Sequence, residues 1–285
     1  MRVLVVGATG MVGHAVAKTL ALTGMDVVGL ARRETQVVPA IVCDVEDRSA
    51  TRLVLQNGGF DVVLNFAGVL NSMSDAHPAR AVYLNSYVPH WLACEVESLG
   101  ARFIHLSTDC VFSGKRGGYS ESDLPDAADL YGRSKAMGEV VAQGLTIRTS
   151  VIGPDTDPQG KGLFNWFMTQ KGTICGYSEV YWSGVTNIQL ALAVREIIES
   201  DLTFGLVQLV NGDRVSKFDL LTLLNDAFPR TGVMIEGVPE PASDKSLTKS
   251  TIVGAPPVPS YREMVEGMRR WVIEHRALYP HYEFD

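Results

Sequence analysis

Three side chains in mid-chain carry the chemistry: the hydroxyl of Thr108, the phenol of Tyr131 and the amine of Lys135. Tyr131 and Lys135 stand four residues apart, which puts them on one face of a helix, and an ammonium beside a phenol favours the phenolate and lowers its pKa. A phenol so placed can give its proton to a substrate oxygen as hydride arrives from a nicotinamide. Thr108 lies just past the apolar run Phe103 to Leu106, at the carboxyl end of a strand, where ligands bind in open α/β sheets. Its hydroxyl can hydrogen-bond the same oxygen. Alone, a tyrosine and a lysine at this spacing also suit an exposed helix face. The order of features decides for catalysis: a glycine turn, then a hydroxyl at a strand end, then the pair.

The glycine turn follows the first apolar run, Arg2 to Val6, and reads Gly7-Ala8-Thr9-Gly10-Met11-Val12-Gly13. Gly7 permits the tight turn, Gly10 lets backbone approach a pyrophosphate, and Gly13 lets the next helix pack on the strand. The free N–H groups and dipole of that helix, through Thr9, Met11 and Val12, face the anion. The next strand, Asp26 to Leu30, ends in Ala31-Arg32-Arg33 rather than in an acidic residue able to accept from a ribose 2′-hydroxyl. Arg32 and Arg33 suit a 2′-phosphate, so NADP(H) is favoured, with NAD(H) still open and a solvated charged turn as the plainer reading. Asp44 stands where an adenine contact would fall. Phe66-Ala67-Gly68-Val69, after the strand Asp61 to Asn65, offers small residues against which ribose and phosphates can lie, with Val69 towards the substrate.

These residues need a frame, and the alternation of apolar runs with helix-period segments supplies one. Val3 to Val6, Val27 to Leu30, Ile41 to Val42, Val62 to Leu64, Phe103 to Leu106 and Thr146 to Arg148 predict an α/β fold with a doubly wound parallel sheet of Rossmann type. One crossover helix is expected from about Ala79 to Leu99, carrying Asn85 and Pro89 and stopped by Gly100. After Gly153 the pattern loosens into Pro154, Asp155, Asp157, Pro158 and Gly160, followed by an aromatic helix at Leu163 to Met168. The dinucleotide-binding domain is therefore placed at residues 1–150, rejoined by about 184–212 through a helix and a strand. A smaller α/β substrate domain takes 151–183 and 213–285, ending in an amphipathic helix at Tyr261 to His275.

With 285 residues, 46% apolar and 20% charged, the chain is long enough for a well-buried core. A net charge of −7 and no basic stripe argue against nucleic acid as a partner. No apolar run reaches the ~18 residues of a membrane span, and the first residues read as a strand rather than a leader, so no membrane association and a cytoplasmic location are expected. Cys43, Cys94, Cys110 and Cys175 are scattered and read as reduced thiols, and the six histidines show no metal-ligand spacing.

GATGMVG, STDCVF, the GKRGGYSESD loop and YGRSK together resemble the extended short-chain dehydrogenase/reductases, and within them the dTDP-4-dehydrorhamnose reductase group. The likeness runs strongly to Ser150 and more loosely beyond. It implies that Thr108, Tyr131 and Lys135 act together at a sugar keto group, with Tyr131 as proton donor and Lys135 also holding the nicotinamide ribose. It implies that Asp109 orients the substrate and that Asn85 supports the site from the neighbouring helix. An asparagine in a helix can also simply cap or break it.

The last third departs from the group's wording: Val180-Tyr181-Trp182-Ser183-Gly184-Val185-Thr186 and Asp244-Lys245-Ser246-Leu247 stand where the group has other strings. Lys245 and Ser246 can meet a diphosphate, Trp182 can stack on a base or sugar, and Phe164 with Phe167 faces one side of a helix, as packing or as pocket wall. The favoured activity is NADPH-dependent reduction of the 4-keto group of a nucleotide-activated deoxysugar, towards a surface polysaccharide or glycosylated product, with a homodimer left open. Two other readings stand beside it: an epimerase or dehydratase that keeps its cofactor oxidised and bound, and a non-catalytic subunit like the regulatory subunit of methionine adenosyltransferase.

Overall fold

The computed structural model describes residues 1–283. Along the first half run β1 (Arg2–Val6), α1 (Met11–Leu22), β2 (Asp26–Ala31), β3 (Ala40–Val42), α2 (Arg48–Gly58) and β4 (Val62–Asn65). Then come α3 (Asn71–Ala76), α4 (Pro78–Val82), α5 (Val88–Ser98), β5 (Arg102–Ser107), α6 (Leu130–Met137) and β6 (Leu145–Arg148). The second half holds β7 (Val151–Ile152), α7 (Leu163–Met168), β8 (Gly172–Tyr177), β9 (Val180–Trp182), β10 (Val185–Thr186), α8 (Asn187–Glu199) and β11 (Gly205–Gln208). It closes with β12 (Val215–Ser216), α9 (Lys217–Ala227), β13 (Val233–Val238), β14 (Ser243–Asp244) and α10 (Tyr261–Glu274).

Seven parallel strands form the main sheet in the order β11-β6-β5-β4-β1-β2-β3. Strands β1 and β4 are near-continuous Val and Leu because helices cover both faces and no face is left for water. One face packs Val3, Val5 and Leu64 against α1 and α8; the other packs Leu4, Val6 and Val63 against Leu55, Trp91 and Leu92. Strand order reverses between β1 and β4, and the crevice outside their carboxyl ends is where this architecture takes ligands.

The single crossover helix expected from Ala79 to Leu99 is instead two helices, α4 and α5, joined by one π-helical turn, Tyr83–Tyr87. Pro89 lacks the N–H that a regular helix would use there. The widened turn turns Asn85 and Ser86 inwards, both buried, and such a turn in a helix often marks a functional site.

Outside the main sheet the strands are short: β10 with β7, β12-β9-β14, and β13 with β8. Loop 112–126 is sewn to this second lobe by main chain: Tyr119 N–H donates to Ser246 O at 2.8 Å, Thr248 N–H to Tyr119 O at 2.8 Å, and Asp244 N–H to Gly114 O at 2.7 Å. No helix among the described residues is long and apolar enough to cross a membrane, and no group of His, Cys, Asp and Glu among them is arranged to hold a metal.

Candidate active site

Gly7 closes the first turn at φ +83° with its N–H on Leu30 O at 2.9 Å. Helix α1 starts from Gly10 with no side-chain cap, leaving its first N–H groups open to an anion. A Cβ on Gly13 would lie 2.1 Å from Gly7 O, so only glycine lets the helix sit this close to the turn. In front lies a cleft of about 330 Å³ whose walls include Thr9, Gly10, Arg32, Asp44, Ala67 and Gly68. Phe66 and Val69 border it too, Val69 itself being buried. A glycine cradle, an uncapped helix start and strand-end arginines together fit the phosphates of a dinucleotide. Met11, Val12 and Gly13 contribute as the helix start rather than as cleft wall: Val12 packs on the core, and Met11 O accepts from Asn187 Nδ2 at 2.8 Å. Arg33 is partly taken, its guanidinium lying 3.4 Å from Asp157 Oδ2.

Asn85 ties this cleft to the residues at the end of β5. Its Oδ1 accepts from Val69 N–H at 2.8 Å, and its Nδ2 donates to Val69 O at 3.0 Å and to Ser134 Oγ at 3.1 Å. Ser86 Oγ donates to Ser134 O at 2.8 Å. The π-turn thus fixes α6, which carries Tyr131 and Lys135, against the loop after β4. Asp129 caps α6, accepting Gly132 N–H at 2.8 Å.

Thr108, Asp109 and Tyr131 form a close group. Thr108 Oγ1 accepts from Cys110 N–H at 3.1 Å and donates to Asp109 Oδ1 at 3.0 Å, which fixes its rotamer. Burial pushes the Tyr131 phenol above its ordinary range, the Cys110 thiol adds to this, and the hydrogen-bonded Thr108 hydroxyl pulls it back. Burial likewise raises Asp109, opposed first by the Lys217 ammonium, and pushes the Cys110 thiol up to about 12.

Lys135 is buried but does not act on Tyr131 as the spacing predicts. Its Nζ donates to Leu106 O at 2.6 Å and meets His105 Nε2 at 3.3 Å, and it is not among the groups that shift the phenol. The expected lowering of the phenol by its neighbour is therefore corrected: here burial dominates and the amine is turned towards β5. The hydrogen-bond network around His105 assigns its tautomer. Ala67 N–H engages Asn65 Oδ1 at 3.2 Å, so the Asn65 amide NH2 faces His105 Nδ1, 3.2 Å away, and that nitrogen accepts. The single proton of the neutral ring is then on Nε2, pointing at Lys135 Nζ. Burial draws Lys135 down to about 8, and burial with the neighbouring Lys135 charge holds His105 well below its usual range.

The second lobe sends residues to the same place, though not those singled out in the sequence. Phe164 is fully buried, stacked edge-on with Phe228 and Tyr282, so it is core and not pocket wall. Trp182 is also core, 3% exposed and packed on Tyr261. Neither has a face free for a sugar. Ser246 is spent on structure, its Oγ accepting from Gly118 N–H at 3.0 Å. Lys245 does approach the cluster and acts electrostatically on Asp109 and Cys110. The residue missed is Lys217, first in α9, whose Nζ lies 5.4 Å from the Trp182 ring centroid. Burial lowers it to about 8, with the Asp109 carboxylate opposing. In sequence it is one lysine after a serine, and nothing local marks it.

The chain matches the family model described as RmlD substrate binding domain over residues 1–157. It belongs to that family. The relatives of this RmlD-family chain include the beta subunit of methionine adenosyltransferase 2 from Danio rerio, 34% identical over 139 residues, covering 48% of this chain and 42% of the relative. A dTDP-4-dehydrorhamnose reductase from Mycolicibacterium smegmatis is 26% identical over 287 residues, covering 93% and 84%. Several further relatives are spanned over only about half their length, from 41% to 57%. Among solved structures, the dTDP-4-dehydrorhamnose reductase of Bacillus anthracis in complex with NADP superposes with a TM-score of 0.80 at 21% identity, over 96% of this chain and 99% of the other. That likeness shows the fold, a Rossmann-type α/β sheet.

Proposed function

We propose that this protein is an NADP-dependent oxidoreductase that reduces the 4-keto group of a nucleotide-activated deoxysugar, supplying a surface polysaccharide or glycosylated product. One observation carries the reading: Thr108, fixed at the end of β5 by its bonds to Asp109 and Cys110, acts on the buried Tyr131 phenol, and Asn85 couples the helix of Tyr131 to the glycine-lined cleft. Thr9, Gly10, Arg32, Arg33, Asp44, Ala67 and Gly68 hold the dinucleotide, with the uncapped α1 start at its pyrophosphate. When bound, the nicotinamide supplies hydride to the keto carbon.

The chain's own work is with the proton. Thr108, held by Asp109, donates towards or orients the keto oxygen, and Tyr131 gives up its proton as that oxygen gains charge. The phenol holds its proton at neutral pH, and because burial makes it the weaker acid, its loss has to be eased by positive charge brought close. Lys135, turning from Leu106 O to the ribose, brings positive charge near the phenolate left behind. Lys217 and Lys245 meet the anionic end of the substrate from the second lobe.

The subunit reading draws on the Danio rerio relative, which matches 139 residues only, whereas the Mycolicibacterium smegmatis reductase is matched over 93% of the chain. Site completeness at Thr108, Tyr131 and Lys135 favours catalysis. The test is loss of reduced-nicotinamide absorbance with NADPH or NADH and a panel of nucleotide 4-keto-6-deoxysugars, the dTDP sugar first. Oxidation that requires both sugar and cofactor is expected. Cofactor binding without oxidation of any sugar would shift the case to the epimerase and subunit readings.

A further inference from the structure

The two arginines at the end of β2 are not equivalent. Arg33 is paired with Asp157, whereas Arg32 makes no ion pair among the described residues. Asp157 belongs to the segment between β7 and α7, and that segment is braced rather than loose. Asp157 N–H donates to Asp155 Oδ1 at 3.0 Å, and Asn165 Nδ2 donates to Asp157 O at 3.0 Å. Asp155 N–H donates to the Tyr282 hydroxyl at 2.9 Å, and Asn187 Nδ2 donates to Pro154 O at 3.0 Å and to Met11 O at the start of α1.

Thr9, Gly10, Arg32 and Arg33 therefore face Asp155, Asp157 and Gly160 across a second cleft, which shares Thr9, Gly10 and Arg32 with the dinucleotide cleft. A wall carrying two carboxylates is an unexpected partner for a pocket that takes only a phosphate dianion. It makes physical sense if one carboxylate holds an arginine whenever the phosphate is absent.

We propose that Asp157 is a cofactor-specificity residue: it competes with the 2′-phosphate of NADPH for Arg33 and thereby narrows the preference for NADPH over NADH. The inference rests on the NADPH reading above. The Arg33–Asp157 pair is half-exposed, 64% and 40%, so it is weak and a phosphate forming charge-assisted bonds displaces it. Displacement leaves the Asp157 charge unpaired beside a dianion, and both effects act against NADPH alone, since NADH brings no charge to that corner.

Asp157→Asn removes the charge while keeping Oδ1, which accepts Gln159 N–H at 3.0 Å, so the turn is preserved. Dissociation constants for NADPH and NADH, read by nicotinamide fluorescence at low salt, are compared for wild type, Asp157→Asn, Arg33→Ala and the double variant. Asp157→Asn is expected to tighten NADPH about threefold to tenfold, with NADH within about twofold as the control for folding. Most of that gain is expected to vanish in the Arg33→Ala background. NADPH binding no tighter in Asp157→Asn, or both cofactors shifted by the same factor, overturns the competition while leaving NADPH use intact. Wild-type protein that binds NADH but not NADPH overturns the NADPH reading itself and this inference with it, before any variant is made.

Discussion

In the first half of the chain the groups offered to a ligand are mostly backbone, whereas at the seam with the second lobe they are side chains brought from separate elements. The glycine turn, the bare start of α1 and the loop Phe66 to Val69 present N–H groups and small surfaces whose position follows from the ends of β1 and β4. Across the seam, Lys217 comes from the start of α9 and Lys245 from the residue after β14, both acting on Asp109 beside β5. Backbone placed by a sheet is stiff and serves any dinucleotide. Side chains carried by two- and three-residue strands are easily exchanged, and that is where choice of sugar belongs.

The sharpest way to break this division is at Tyr131, where both halves meet. Tyr131→Phe keeps the ring and loses the proton, so turnover is expected to fall about 10²- to 10⁴-fold with NADPH affinity within about twofold. Turnover near wild type, measured as nicotinamide oxidation, would remove Tyr131 as the acid. Next in size is a stability effect confined to the first half. Arg148 and Glu139 form a buried ion pair, 2% and 8% exposed, with Arg148 Nη2 on Glu139 Oε2 at 2.6 Å. Ser107 Oγ donates to the same carboxylate at 2.7 Å. Glu139→Gln leaves the guanidinium charge buried and unpaired and is expected to cost about 3 kcal/mol in urea unfolding. An unchanged midpoint would mean that the arginine reaches water.

Lys217→Gln sharpens the other side of the comparison. It is expected to raise the substrate KM about tenfold while kcat and NADPH affinity move by less than about threefold. Equal loss in kcat and kcat/KM would instead place Lys217 at the reacting carbonyl.

The first half was legible in the sequence because its constraints are local. Apolar runs without alternation gave β1, β4 and β5, the glycine spacing gave the turn, and Tyr131 with Lys135 shared a helix face as their spacing required. What failed there also has a cause. Nothing in the run from Ala79 to Leu99 foretells a π-turn, and four-residue spacing cannot say that Lys135 would turn to Leu106 O and His105. In the second half, Phe164 and Trp182 are large aromatic residues near a seam, and only the tertiary fold reveals that Phe228, Tyr282 and Tyr261 cover them. Lys217 and Asp157 escape for the same reason: the charges they face, Asp109 and Arg33, lie more than a hundred residues away in the chain.

The smallest expected effect tests whether the first half has a side-chain switch among its backbone groups. Lys135 titrates near 8 in the folded chain because burial penalises its charge, against ~10.4 when unfolded. The sign follows from linkage: the cost of burying the ammonium is fully present below about pH 8 and is relieved as pH rises towards ~10.4, where the folded form gives up its proton first. Stability from this group therefore rises over that window, while the hold on the ribose proposed for it, which needs the ammonium, weakens. NADPH affinity is expected to fall about threefold from pH 7 to pH 9, and the slope to disappear in Lys135→Met. The Lys217 amine also titrates near 8, but it lies on the substrate side. Lys217→Met should therefore keep the slope, and a variant that lost it would show that the cofactor reads charge across the seam.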